Sequence, residues 1–348
     1  MGFCKNRRRK SSLPFLGMAI LIAVMCSGCN EKDKDAAKIC GPLVINSSGD
    51  LLFCGVKRGS VYQHYVIPLR NRHSQPIALQ LPGSDSCLGA TWRPGAGYDE
   101  LLFITGCSPQ TIKRFRVSDA SVSEISSYMV DPNIVVILPY YCGSNRDILA
   151  LRVTKQLKGI TSGAYLGFSK DNGQTISISE ITPPNYLLWI DQCSFYMAHG
   201  AIKGGKLRMF MSKAHLDIDS MTVQTREILQ EDGSILLATQ SLNGSLVYVT
   251  GQRLFRDNEI LAELPEELSA IPFINGSYLA CVSKDKIYIL SDKGEVLDTK
   301  QNPRGFLFAG LSAANRCIYL TTEGREKIIS YNFIEKSENV VFDPNNAP

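Results

Sequence analysis

An all-β fold is what the sequence predicts: a β-propeller of about seven four-stranded blades, with six to eight in range. Three observations carry this expectation. First, turn residues followed by a short run rich in Leu, Val, Ile, Phe and Tyr recur along the chain. The runs begin at Leu51, Leu101, Ile148, Leu207, Leu246, Tyr278 and Cys317, and their spacing averages about 44 residues, unevenly. Second, the runs are short, are bounded by Gly, Asn, Asp and Ser, and lead through polar turns into further strands. Lys286-Ile287-Tyr288-Ile289-Leu290, the turn Ser291-Asp292-Lys293-Gly294 and the strand Glu295-Val296-Leu297-Asp298 are an example. Third, helical periodicity is nearly absent; its best stretch, Ala262–Leu268, is shortened by Pro265. A four-stranded blade cannot bury both of its faces alone, and stacking blades in a ring covers them. Two β-sandwiches are the alternative, but no linker breaks the chain between Ile39 and Phe342.

Composition bounds the function classes. The chain has 348 residues, a formal charge of +4, 44% hydrophobic and 20% charged residues. Those values exclude a disordered chain, a coiled coil, collagen and a multi-span membrane protein. Much of the charge excess sits at the extreme N-terminus, so no field favours nucleic acid as a partner.

At that terminus Lys5, Arg7, Arg8, Arg9 and Lys10 precede an apolar stretch, Leu13 to Met25. Its length of about 13 residues suits a signal-peptide core and is short of the roughly 20 that span a bilayer. Cys26-Ser27-Gly28-Cys29 follows, and then the polar run Asn30 to Asp35. This order resembles a bacterial lipobox, except that Cys26 stands where the family usually has Leu. The resemblance implies that Cys29 takes a diacylglyceryl group and further acyl chains such as palmitate, and becomes the new N-terminus. It divides the chain into a signal peptide at 1–28, a polar tether at 29–38 and a single propeller domain at 39–348. By the family's sorting rules, Asn30 in place of Asp after the lipid cysteine points to the outer membrane. A plain signal peptide or an uncleaved anchor are the alternatives.

Of the 11 cysteines, Cys4, Cys26 and Cys29 fall in this leader. The body keeps Cys40, Cys54, Cys87, Cys107, Cys142, Cys193, Cys281 and Cys317. An even number in an exported chain predicts disulfides, because the periplasm is kept oxidising. Nearest-neighbour pairing, Cys40–Cys54, Cys87–Cys107, Cys142–Cys193 and Cys281–Cys317, is the expectation. The cysteines are too widely spaced for a zinc site, and His64, His73, His199 and His215 are scattered, so no metal is expected.

Ser169-Lys170-Asp171-Asn172-Gly173-Gln174-Thr175-Ile176 resembles an Asp-box, the hairpin motif of sialidases and other propellers, with Ile176 in place of the final aromatic. Ser169, Asp171, Gly173 and Thr175 carry the likeness. In that family the motif stabilises a turn away from the catalytic face. Leu88 to Pro94 followed by Asp99 to Phe103 looks like a repeat of TolB-type and WD-repeat propellers. Gly200 to Leu207 mimics a phosphate loop, but Leu207 stands where a metal-binding hydroxyl is required and a strand hairpin surrounds it. No nucleotide or other cofactor is expected.

No nucleophile elbow, paired carboxylates or metal cluster marks a catalytic centre. The expected function is therefore that of a lipid-anchored, periplasm-facing scaffold binding a protein partner in the cell envelope, with no enzymatic activity. Trp92, Arg93, Tyr140, Tyr141, Tyr186 and Trp189, in or beside loops, are the candidate partner anchors. A glycan-active or glycan-binding protein of the Asp-box group is one alternative, and an immunity lipoprotein against a periplasmic toxin is another.

Overall fold

The computed structural model describes residues 36–70, 75–79, 87–93, 99–106, 110–117, 121–141, 149–157, 160–170, 175–179, 186–189, 194–231, 234–237 and 245–347. They form seven antiparallel four-stranded sheets, each a meander of consecutive strands. Blade 1 holds β1 (Lys38–Ile45), β2 (Leu51–Arg58), β3 (Val61–Pro68) and β4 (Ile77–Leu79). Blade 2 holds β5 (Cys87–Trp92), β6 (Glu100–Thr105), β7 (Thr111–Val117) and β8 (Val122–Met129). Blade 3 holds β9 (Ile134–Tyr141), β10 (Leu149–Leu157), β11 (Ile160–Ser169) and β12 (Ser177–Ser179). Blade 4 holds β13 (Tyr186–Trp189), β14 (Ser194–Lys203), β15 (Lys206–Asp217) and β16 (Thr222–Glu231). Blade 5 holds β17 (Ile235–Leu237), β18 (Val247–Thr250), β19 (Arg253–Arg256) and β20 (Glu259–Glu263). Blade 6 holds β21 (Phe273–Asn275), β22 (Tyr278–Val282), β23 (Lys286–Ser291) and β24 (Val296–Gln301). Blade 7 holds β25 (Phe308–Ser312), β26 (Cys317–Thr321), β27 (Ile328–Asn332) and β28 (Ser337–Phe342). Among the described residues the only helix is a 3-10 turn at Glu323–Arg325.

Burial explains the recurring apolar runs. A second strand has a neighbouring blade on each face, so β6 and β26 are buried at every position. Outermost strands such as β8 and β28 are mostly exposed or half-buried instead. Six of the seven recurrent runs coincide with second strands. The seventh, at Leu207, lies in β15, the third strand of blade 4; its true second strand is β14. Gly204-Gly205 before Leu207 copies the glycine start of the other runs, which explains both the displacement and the uneven spacing.

Seven apolar clusters fill the seven gaps between blades. The ring closes between blades 7 and 1 without any exchange of strands. Ile39, Leu52, Cys54 and Tyr65 of blade 1 pack there against Ala309, Cys317 and Tyr319 of blade 7 and against Phe342. Close approach at this seam requires glycine. A Cβ on Gly310 (φ +142°) would stand 2.3 Å from Cγ2 of Ile45, and one on Gly49 (φ +75°) would stand 2.7 Å from Oγ of Ser312.

Two of the four expected disulfides fail for geometric reasons. No bond joins Cys40 to Cys54, or Cys281 to Cys317. Cys54 is opposite Leu43 and Cys40 is opposite Gly55, on either side of an irregularity in β1. Adjacent positions on β2 face opposite sides of the sheet, so the Cys40 and Cys54 side chains diverge. Cys281 belongs to the core between blades 5 and 6, whereas Cys317 belongs to the seam between blades 7 and 1. The side chain of Cys87, and Cys107, Cys142 and Cys193, lie outside the described residues, as do Cys29 and the leader.

Candidate interaction faces

A meander of four strands fixes two faces. Every innermost strand (β1, β5, β9, β13, β17, β21 and β25) starts on one face and ends on the other. The chain enters at the first, here termed the terminal face, and leaves the ring there too. Ala37 donates its N–H to Oδ1 of Asn345 (3.2 Å), and Arg58 donates to the Pro344 carbonyl (3.1 Å). The opposite, distal face carries the loops after each innermost strand.

Five of the six candidate anchors stand at distal strand ends by topology alone, the side chains of Tyr140, Tyr141, Tyr186 and Trp189 lying outside the described residues. Trp92 ends β5 and Arg93 follows it, Tyr140 and Tyr141 end β9, and Trp189 ends β13. Tyr186 begins β13 and so lies at the terminal face. The first two anchors have structural work that the sequence did not reveal. Trp92 is 7% exposed, packs with Phe53, Leu101 and Phe103, and donates its indole N–H to the Val44 carbonyl of blade 1 (3.0 Å). It pins two blades together.

Arg93 is likewise buried, in an ion cluster within blade 2. Its Nη1 is 2.7 Å from Oε2 of Glu100, and Nη2 of Arg114 is 2.9 Å from the same oxygen. Nη2 of Arg116 reaches the other carboxylate oxygen at 3.4 Å while remaining 68% exposed. Burial alone would raise the Glu100 carboxyl. The hydrogen bonds and charges of Arg114 and Arg93 outweigh it and hold the group below its usual range. Arg116 is thus the group of this cluster that a partner can reach. Its signal in the sequence is the alternation of Arg114 and Arg116 on β7, both opposite the start of β6.

A chain of amides ties the distal rim across four blades. Asn275, ending β21, donates Nδ2 to the Ser47 carbonyl (2.7 Å), and its Oδ1 accepts from the Ala313 N–H (2.9 Å). Blades 6, 7 and 1 are thereby linked. Asn46, buried after β1, donates to Oδ1 of Asp99 in blade 2 (3.3 Å) and to Asp50 (2.7 Å). Its own Oδ1 accepts the N–H groups of Asp50 and Leu51, both at 3.0 Å. Asp50 also pairs with Arg70.

No protein-family model matches the chain, and no curated protein matches it either. Solved structures do, at the level of the fold. Prolyl oligopeptidase B from Galerina marginata is 14% identical, with a TM-score of 0.59; the match covers 92% of this chain and 53% of that one. The chain therefore spans about half the length of that enzyme. The β-propeller domain of the Trilobed protease from Pyrococcus furiosus, which has an open velcro topology, is 11% identical with a TM-score of 0.54. That match covers 90% of this chain and 100% of the other. An oligogalacturonate lyase in complex with manganese is 13% identical with a TM-score of 0.52, over 85% of this chain and 86% of that one. The chain is a seven-bladed propeller, and among its described residues every blade is built from four consecutive strands.

Within that ring, Ser169 ends β11 and Thr175 precedes β12, so the Asp-box-like segment spans a hairpin loop on the distal face. Asp171 and Gly173 lie outside the described residues. The phosphate-loop mimic is the β14–β15 hairpin, with Gly204 (φ +62°) and Gly205 (φ +77°) as its two-residue turn. It has the strand context expected and no helix to cradle a phosphate.

A second polar network closes the terminal face between blades 5 and 6. Buried Ser283 donates to Oε2 of Glu266 (2.5 Å), and Lys286 pairs with Oε1 of the same group (3.1 Å). The Ser283 hydroxyl, then burial opposed by Lys286, set the Glu266 carboxyl, which is held low overall. Sequence reading also missed His64, whose ring forms a three-ring cluster with Phe53 (5.8 Å) and Phe103 (5.9 Å) at the interface of blades 1 and 2. Burial pushes its imidazole down to about 4.

Proposed function

We propose that this propeller is a lipid-anchored scaffold of the bacterial cell envelope, facing the periplasm, that binds a protein partner through its distal face and has no catalytic centre. The observation that carries the reading is the position of the chain's entry. Ala37 and Asn345 meet on the terminal face, so a lipid on Cys29 tethers that face toward the membrane. The distal face then points away from the bilayer, with Arg116 exposed on it and the ends of β5, β9 and β13 gathered there. A face already fixed by the Asn46 and Asn275 bonds has little to order when it binds. Asn30 supports placement in the outer membrane.

Two measurements test the reading. Cys29→Ser should move the protein from the membrane to the soluble fraction or leave it unprocessed; unchanged fractionation and lipid labelling would refute the anchor. Crosslinking from positions on the distal face of the anchored protein should capture one envelope protein, with capture weakened by Arg116→Glu. Turnover of glycosides or peptides by the purified protein, abolished by a single substitution, would replace the scaffold with an enzyme.

A further inference from the structure

The β14–β15 hairpin outreaches its own blade. Its pairing continues from Ser194↔His215 to Lys203↔Lys206, whereas β13 stops at Tyr186↔Ala198 and β16 stops at Met209↔Glu231. Among the described residues no strand pairs with the hairpin from Ala201 to Arg208 on either side, and its tip projects from the terminal face. Nothing lies within 4 Å of a Cβ built on Gly204 or Gly205. At this tip Ile202 is 66% exposed and pairs in register with Leu207, one rung below Lys203↔Lys206. The β2–β3 turn of blade 1 repeats the chemistry on the same face. Val61 is 55% exposed there and follows Lys57 and Arg58, beside the chain end that Arg58 holds. Both tips set a branched aliphatic side chain next to cationic residues. Two carboxylates of that face, Glu266 and Asp343, are already paired with Lys286 and Lys327.

We infer that these two hairpin tips rest on the membrane, with Ile202 and Val61 entering the headgroup layer and Lys206, Lys57 and Arg58 meeting anionic lipid phosphates. An exposed aliphatic side chain beside cationic residues suits the interface of an anionic bilayer, where apolar insertion and surface charge act together. The occupant is assigned from the chain outside the described residues. Cys29 stands eight residues before Ala37, and that segment reaches at most about 28 Å even when fully extended. A lipid on Cys29 keeps the terminal face within that distance of the bilayer, on the side to which both tips project. The inference rests on the lipid-anchor reading and adds an orientation to it.

The test uses the full lipidated protein reconstituted in vesicles of phosphatidylethanolamine and phosphatidylglycerol containing a brominated phospholipid. Ile202→Trp is compared with Ile334→Trp, an exposed isoleucine in the β27–β28 loop of the distal face. The expected result is several-fold stronger quenching of the Ile202→Trp emission, reduced in Lys206→Glu and by raised salt. Flotation with vesicles but equal quenching at both positions overturns the membrane contact and leaves the anchor standing. Failure to float overturns the anchor, and this inference with it.

Discussion

The two faces of this propeller differ in what holds their loops. On the distal face, side chains cross from blade to blade: Asn275 links blades 6, 7 and 1, Asn46 links blades 1 and 2, and Trp92 bonds the backbone of blade 1. On the terminal face the crossing bonds are separate pairs, with no run across successive blades: Ser283 and Lys286 meet Glu266 between blades 5 and 6, Ala37 and Arg58 meet the segment after β28, and the β14–β15 hairpin stands clear of its neighbours. A ring that closes without exchanging a strand needs another lock at its seam. Here the lock is polar, lies on the distal rim, and reinforces the apolar packing beneath it. The terminal face is correspondingly free to carry the chain ends and a projecting hairpin.

The sharpest way to break this comparison is at the buried ion cluster. Glu100→Ala leaves Arg93 and Arg114 as two enclosed cations with their shared carboxylate removed. A loss of about 3–5 kcal/mol is expected in urea denaturation, the range for stripping one partner from a buried charge pair. Arg116→Ala, at the exposed edge of the same cluster, should cost less than about 1 kcal/mol. Equal effects from the two would mean that the cluster is solvated and that the distal face is no firmer than the other.

Next in size is a pH effect midway between the faces. The His64 imidazole binds a proton near 6.5 when the chain is unfolded, and only near pH 4 when buried against Phe53 and Phe103. The unfolded state therefore takes up the proton first. Stability is complete above about pH 6.5 and is lost as the pH falls toward 4, by about 3 kcal/mol in all. His64→Phe should flatten that part of the stability profile. Hydrogen exchange at pH 5 should show β3 opening while the Asn46 amide bonds, on the distal rim, persist; simultaneous opening would show that the rim does not act as a separate lock.

The seam itself offers a smaller effect. Asn275→Ala removes the bonds to Ser47 and Ala313 and leaves a partly buried carbonyl and N–H without them. About 1–3 kcal/mol is expected, with faster exchange in β1 and β25 than in β9. Exchange raised uniformly around the ring would argue against a local lock at the seam.

How much of this could be read from the sequence follows from what each feature depends on. The blades were legible because a second strand buried on both faces must be an apolar run, as in Leu101-Leu102-Phe103-Ile104, whatever it packs against. Blade 4 was misaligned because Gly204-Gly205 imitates a strand start; only pairing with β13 shows that β14 is the second strand. The distal clustering of the ends of β5, β9 and β13 follows from propeller topology once the blades are known. The roles of Trp92 and Arg93 do not. An aromatic and a cation beside a turn look like partner anchors, and only the Val44 carbonyl and the Glu100 carboxylate, supplied from elsewhere, make them structural. The two expected disulfides within the described residues do not form for a similar reason, since sequence neighbours such as Cys281 and Cys317 face different cores. The Asp-box likeness marked a hairpin loop and no more, although its distal position would put that family's catalytic face on the terminal side. Glycan turnover lost on changes at the terminal face would therefore favour the glycan reading over the scaffold.

The smallest effect sharpens the comparison from the other side. Lys327 and Asp343 pair at 3.1 Å on the terminal face, joining the start of β27 to the segment after β28. Burial would raise the Asp343 carboxyl, but the Asn345 N–H and the Lys327 ammonium hold it below its usual range. The lysine is well exposed, so solvent screens the attraction and the long side chain loses freedom in making it. Lys327→Met keeps the aliphatic stem and removes the charge, and should cost no more than about 1 kcal/mol, less in high salt. The comparison between the faces depends on this value being small. If Lys327→Met matched the loss in Asn275→Ala, the segment that carries Asn345 and receives the Ala37 N–H would also be locking the ring. Closure would then be shared between the two rims, and the terminal face could no longer be treated as the freer of the two.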